Sequence, residues 1–343
     1  MALPGYGPLV PQLHQLGAAI ASIPCGPYRS GAKSIADLLR FSSDLRAQRR
    51  VIGDLARDAD LIYVNGPRLL PAAALVSRGR IPILFHAHSH IEQGLAWRLA
   101  SGSIRRSGAT VIACSQSVLD NFRECTRAAA VIPNGVAEMP FRERNRISRI
   151  GVIGRISPEK GQAEFVRAAA ALQAEFPCAR FVVCGTPLFG DSTYDESVRA
   201  LARGLPVDFL GWRDEIATVL SELDLLVVPS KQEGMGRVII EAFSAGVPVV
   251  AFAVGGIPEV IREEETGFLV RERTSEALAR RIGEIMSSDP DTIQRIVLNA
   301  RRAWEHDYTL ATYQNRIMQV IQCMGHREAA AQRAASVAEN IRA

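Results

Sequence analysis

No CxxC pair occurs in the 343-residue sequence; Cys25, Cys114, Cys125, Cys178, Cys184 and Cys323 are scattered. That scatter argues against a disulfide framework or a zinc site and for reduced thiols in a cytoplasmic protein. No apolar run approaches the roughly 18 residues of a membrane-spanning helix. The start, MALPGYGPLV, lacks the basic flank and long apolar stretch of a signal peptide. Aromatic residues reach only 6%, so the core has to rest on Ala, Val, Ile and Leu. Neither a Walker phosphate loop nor a GxGxxG fingerprint is present. Basic stretches interleaved with aromatics are absent too, which excludes the common nucleic-acid modules.

What is there suits a soluble, core-forming protein of about two domains at roughly 150 residues each. Hydrophobic residues make up 48% and charged residues 22%. The net charge of +4 is unevenly spread. Residues 1–147 hold 18 Lys/Arg against 10 Asp/Glu, net +8, and the remainder 22 against 26, net −4. Arg40, Arg46, Arg49 and Arg50 fall in one helical stretch, and Arg98, Arg105 and Arg106 in another. Such faces are either plainly solvated or drawn to an anionic surface, a membrane leaflet or a phosphorylated acceptor.

Short Val- and Ile-rich runs bounded by Gly, Pro or Asn predict strands at 18–23, 61–64, 81–85, 110–113 and 130–132. A second series follows at 149–153, 180–184, 207–210, 225–228 and 248–251. Amphipathic stretches such as 162–175, 193–204 and 237–245 lie between them. Alternation of this kind predicts parallel sheets covered by helices, joined by right-handed crossovers. The polar segment 141–148, FRERNRIS, reads as an exposed linker between domains 1–147 and 148–323, with 324–343 as a tail or frayed helix. Ligands of such folds bind beyond the carboxyl ends of the strands, and two facing domains make the cleft between them the place to seek chemistry.

Glu233 and Glu241, in EGMGRVIIE, stand eight positions apart at a helix entrance. The second would lie about two turns further in, on roughly the same side. Gly234 and Gly236 let a ligand approach the backbone near free helix amides. One acid could then hold sugar hydroxyls and the other a ribose diol. Alternatively, the first acid favours the helix dipole and the second is an unrelated buried Glu. After the strand 149–153 comes GRISPEKG, whose Arg155 and Lys160 suit a diphosphate: a planar guanidinium fork and a compact ammonium. Read together, cations and acids describe a nucleotide-sugar pocket. His86, His88 and His90 alternate after the strand 81–85 and would share a face. They admit a metal, a sugar-contacting or a structural role.

The runs GRISPEKG, PSKQEGMGRVIIEAFSAGVPVVAFAVGGIPEVI and TGFLV, with VIACSQSV and VIPNGV upstream, resemble retaining GT-B glycosyltransferases of the family 4 type. The resemblance covers roughly residues 61–322. It implies two doubly wound Rossmann-like domains with a cleft between them. Arg155 and Lys160 would bind the donor diphosphate, Glu241 the ribose and Glu233 the transferred sugar. Gly185, Gly234, Met235, Gly236 and Arg237 would line the donor site, with Gly256 supporting the same wall. Trp212 and Arg213 would flank the base. A first-domain histidine would approach the sugar, His86 with His88 as the competing assignment. Ser115 and Asn134 would line the cleft. Chains of the family open on a strand and a glycine-rich loop. Here that strand is predicted to be missing, with Gly5 and Gly7 as the remnant of the loop.

The implied reaction moves a hexose from a nucleoside diphosphate sugar to an acceptor hydroxyl with retention, in polysaccharide or glycolipid synthesis. No metal or other cofactor is expected, since the cations replace it. Glu233 and Glu241 would begin about 12 Å apart along a helix, too far for the carboxylate pair of a retaining glycosidase. The acceptor would be a glycan or a lipid-linked molecule, met in the cytoplasm or at the inner face of the membrane through the basic first domain. Two rival readings are an epimerase or phosphorylase on the same fold, and a non-catalytic remnant that binds nucleotide sugar.

Overall fold

In the computed structural model the described residues are all except 6, 8, 27–34, 145, 188–191 and 326–343; for 35–39 only the backbone is described. The predicted tail therefore lies outside the described residues beyond 325. Contacts divide the chain into two units. The first comprises 1–114, 118–131 and the described residues from Met318 on; the second comprises 115–117 and 132–317.

In the first unit the β-branched runs pair as expected. Strands β1 (Ala2–Leu3) and β2 (Ala21–Ser22) form a small parallel ladder of their own. Strands β3 (Ile62–Asn65), β4 (Ile83–Ala87), β5 (Thr110–Ala113) and β6 (Ala129–Val131) form a parallel sheet in chain order. Every residue of β4 is buried, as a central strand of a covered parallel sheet demands. Helix Leu70–Ser77 packs against helices Ile35–Leu55 and Leu95–Ser107. Its Ala72, Ala73 and Ala74 are buried and allow close approach. Strand β1 lies just before Gly5 and pairs with β2 alone, apart from the four-stranded sheet. Gly5 takes φ +89, and the Gly7 carbonyl accepts the Val10 amide as helix Leu9–Gln15 begins.

The second unit holds six parallel strands: β7 (Arg149–Ile153), β8 (Arg180–Cys184), β9 (Val207–Gly211), β10 (Leu225–Val228), β11 (Val249–Phe252) and β12 (Phe268–Val270). Their spatial order is β12-β11-β10-β7-β8-β9. Strand β12 occupies TGFLV, which is too short for its hydrophobic pattern to stand out. From β7 the chain builds outward through β8 and β9, then returns to lay β10, β11 and β12 on the other side. The sheet therefore has its topological switch point between β7 and β10.

Within the predicted linker 141–148, Phe141, Arg142, Glu143 and Arg146 are exposed, but Arg144 and Ile147 are buried. Arg144 is only 3% exposed, and its guanidinium donates to carbonyls of Leu220, Leu223, Arg142, Ala245 and Gly246. By its contacts the segment belongs with the second unit, whose main run begins at Ile132. A guanidinium can be buried where helices end and leave carbonyls unsatisfied. Among the described residues, no helix is long and apolar enough to cross a membrane.

Candidate active site

Ligands of open parallel sheets lie where two neighbouring strands send their chains in opposite directions. In the second unit that place is flanked by the loop after β7, Gly154–Gly161, and the loop after β10, Pro229–Gly236. Glycines bring these loops into backbone contact. Gly161 has φ +72, and a Cβ on it would fall 2.0 Å from the Pro229 carbonyl oxygen. Gly185, after β8, would meet the Gly154 oxygen at 1.9 Å. After β11, Gly255 would meet the Glu233 oxygen at 1.9 Å and Gly256 the Gly234 oxygen at 2.1 Å. Hydrogen bonds close the same junctions: Lys231 N–H to the Glu159 carbonyl at 2.7 Å and Gly256 N–H to the Glu233 carbonyl at 3.2 Å.

Onto this frame the sequence places its charges. Lys160 Nζ donates to Glu233 Oε2 at 2.5 Å, and Ser230 Oγ donates to the same oxygen at 3.0 Å. Arg155 lies 3.5 Å from Glu159. Arg237 Nε sits 3.1 Å from Glu241 Oε1, one turn along helix Arg237–Ala245. Burial raises the Glu241 carboxyl above its ordinary range, against the pull of Arg237. The helix starts at Arg237, so Glu233 belongs to the preceding loop. The predicted two-turn helical relation between the acids does not hold, because Gly236 at φ +80 breaks the backbone between them.

Ser115 and Asn134 join the same loop. Ser115 Oγ donates to the Gly234 carbonyl at 2.6 Å, and the Asn134 amide approaches Met235 Sδ at 3.2 Å. Met235 is 2% exposed, so it anchors the loop from inside. Trp212 and Arg213 follow the edge strand β9, two strands or about 10 Å out from β7. Trp212 is 64% exposed, and its indole N–H donates to Asp214 at 2.8 Å. The structure does not bring this pair to the acids.

Two supporting residues escaped the sequence reading. The Gln162 side chain donates to the Arg155 carbonyl at 2.8 Å and accepts the Ser157 amide at 3.3 Å, bracing the cationic loop. Glu259, the acid of GGIPE, accepts the amides of Gln116 at 2.6 Å and Ser117 at 2.8 Å. An acid opposite a helix start was the available signal for Glu259. A glutamine opening an apolar helix was the signal for Gln162.

In the first unit, the His86 and His88 rings lie against each other, centroids 3.9 Å apart and planes tilted by 36°, as alternate positions on one strand face allow. His86 Nδ1 meets Tyr63 Oη at 2.5 Å, and His88 Nε2 meets Asn65 Oδ1 at 2.6 Å. Burial, with His88 adding to it, lowers the His86 pKa to about 3, so its imidazole is neutral at physiological pH. His86 is fully buried while His88 is exposed. Among the described residues, no three His, Cys, Asp or Glu side chains are grouped to hold a metal ion.

Known proteins share this organisation. The family described as glycosyl transferases group 1 matches residues 147–288, and glycosyltransferase family 4 matches residues 3–138. HepE of Anabaena, solved in complex with UDP-glucose, is 26% identical. The likeness covers 94% of this chain and 91% of that one, with a TM-score of 0.80. Sucrose-phosphate synthase of Thermosynechococcus elongatus shares the fold at 21% identity, over 89% of this chain and 83% of that one, with a TM-score of 0.72. The sulfoquinovosyl transferase of Arabidopsis thaliana is 26% identical over 85% of this chain and 60% of its own. The D-inositol 3-phosphate glycosyltransferase of Mycolicibacterium gilvum is 34% identical over 46% of this chain and 36% of its own. The chain thus spans less than two thirds of the length of these two curated relatives.

Proposed function

Since the chain belongs to the family 4 glycosyltransferases and has the GT-B fold, we propose that it moves a sugar from a nucleoside diphosphate donor to an acceptor hydroxyl, with retention. The observation that carries this reading is the Lys160–Glu233 ion pair at the switch point, buttressed by Ser230. The pair stores a cation and an acid side by side, both partly buried. A donor would exchange their partners. Lys160, with Arg155, would turn to the diphosphate, and Glu233 would accept from hydroxyls of the sugar.

The bond that breaks joins the anomeric carbon to a phosphate oxygen. Its electron pair goes to the diphosphate, where the two cations offset the growing charge without a metal. The acceptor oxygen bonds to the same face of the carbon, and its proton passes to the leaving phosphate oxygen. Glu241 holds the ribose diol from helix Arg237–Ala245. In the first unit, exposed His88 offers a ring nitrogen to a hydroxyl-bearing ligand, with the His86 ring against it. The likeness to HepE favours uridine as the base, and a hexose as the sugar. The positive first unit suits a glycan or lipid-linked acceptor reached in the cytoplasm or at the inner membrane face, in polysaccharide or glycolipid assembly.

Calorimetric titration with UDP, GDP, ADP and their sugars tests this. One nucleotide should bind in preference. Glu241→Ala and Arg155→Ala should each weaken it by about 2 kcal/mol, some thirtyfold. Unchanged affinity in both variants would refute the donor assignment. Release of free sugar, or isomerised donor without acceptor, would replace transfer with the epimerase or phosphorylase reading.

A further inference from the structure

Much of the first unit's positive charge is gathered at one place. Arg46, Arg49, Arg50, Arg57, Arg78 and Arg80 line a single cavity of about 710 Å³. On helix Ile35–Leu55 the positions 46, 49, 50 and 53 recur at three- and four-residue intervals, so they share a face. Gly53 leaves that face open in the middle. Like charges at such intervals repel and weaken a helix. Among the described residues, Arg57 alone of the six forms an ion pair, with Asp54 at 2.5 Å. Among the described residues, Arg46, Arg49, Arg50, Arg78 and Arg80 have no ion pair and no side-chain hydrogen bond.

The opposite wall is the turn that ends helix Leu70–Ser77. The Ser77 hydroxyl donates to the Ile81 carbonyl at 2.5 Å and accepts the Gly79 amide at 3.2 Å, which fixes the turn. Arg78 caps the helix in the left-handed region, at φ 48 and ψ 26. Glycine or asparagine ordinarily fills that position. An arginine retained under backbone strain is a sign that its side chain is used.

The location separates this cavity from the chemistry. Ile81 lies just before β4, whereas His86 and His88 lie at the far end of that strand, about 16 Å along it. Ligands of the reaction gather at the carboxyl ends of the strands. The cavity is at the other end of the sheet.

We propose that it is a second binding site, for a compact organic anion carrying two or more phosphate groups. Guanidinium forks on both walls can grip separate phosphates in bidentate fashion. The volume falls within the roughly 300–1,000 Å³ of small-molecule sites. Apolar Ala56, Leu75, Val76 and Ile81 complete the lining, giving the carbon frame of such a ligand a surface to rest on. A flat bilayer would be served by a convex basic face; this open cavity presents arginines on two of its walls.

The test is calorimetric titration of inorganic pyrophosphate into the full chain, its Arg49→Ala/Arg80→Ala variant, its Arg78→Gly variant and its Arg155→Ala/Lys160→Ala variant. Pyrophosphate should still bind the Arg155→Ala/Lys160→Ala variant. The Arg49→Ala/Arg80→Ala variant should lose this second binding by about tenfold or more. Arg78→Gly should weaken it as well, while the melting temperature holds or rises because glycine relieves the strained cap. Binding that vanishes when only the donor cations are removed would overturn the proposal. So would binding that ignores the cavity substitutions. Sedimentation with vesicles of phosphatidylcholine and phosphatidylglycerol in equal parts separates the remaining source. If the cavity variants lose vesicles but keep pyrophosphate, the face is a membrane contact and the proposal falls. Because the cavity does not depend on the donor reading, an Arg155→Ala/Lys160→Ala variant indistinguishable from wild type would count against that reading alone.

Discussion

His86 shows how a single side chain is set by its surroundings. It sits within β4, fully buried, hydrogen bonded to Tyr63 and against the His88 ring, and its pKa is lowered to about 3. The folded state therefore refuses a proton that the unfolded chain accepts near pH 6.5. The stabilisation is complete above that pH and is lost as pH falls toward the folded value. Between pH 6 and pH 5 the loss should be about 1 kcal/mol. His86→Gln, which cannot titrate, should be less stable at neutral pH and should lose stability less steeply on acidification. Denaturant titrations of both proteins at several pH values check the slope; parallel lines would contradict a buried neutral imidazole. The histidine spacing was legible in the sequence. Which ring is buried was not, because alternation assigns a face but not the depth of each ring below the surface.

At the scale of elements, the site was legible where chemistry and local pattern coincide. The short β-branched runs at 110–113, 149–153, 180–184 and 225–228 became strands with the predicted bounds. The loops after β7 and β10 bring Lys160 and Glu233 together, while Glu241 stands on the helix that follows. What pattern could not supply is the adjacency of those loops, since β7 and β10 pair across more than seventy residues of chain. Glycines make that adjacency possible, and two of them separate its causes. Gly161 and Gly204 both have positive φ, but a Cβ would strike the Pro229 carbonyl in the first case and open space in the second. Gly204→Ala should cost about 1 kcal/mol from backbone conformation alone. Gly161→Ala should cost about 2 kcal/mol or more, because the loops must also part. It should weaken nucleotide binding too, whereas Gly204→Ala should not. Equal midpoints in denaturant would show that the close approach carries no energetic weight.

On the scale of the molecule, one side chain ties a segment to the second unit although its type suggested the opposite. Arg144 lies in a segment that reads as an exposed linker, yet every one of its hydrogen-bond partners belongs to the second unit. Four of those carbonyls belong to Leu220 and Leu223, at the end of helix Ile216–Glu222, and to Ala245 and Gly246, at the end of helix Arg237–Ala245. Desolvation lowers its pKa to about 10, which still leaves it charged at neutral pH. Removing the guanidinium strands those acceptors in a dry interior, where each lost partner is expensive. Arg144→Met should destabilise by about 3–5 kcal/mol. A chain of two units need not unfold in one step. Calorimetry should therefore resolve a transition that moves down in the variant, and nucleotide should raise that same transition, since the loops proposed to hold the donor belong to the same unit. A boundary at Ser148 makes the contrary forecast, because Arg144 would then serve the first unit and the nucleotide-sensitive transition would stay where it is.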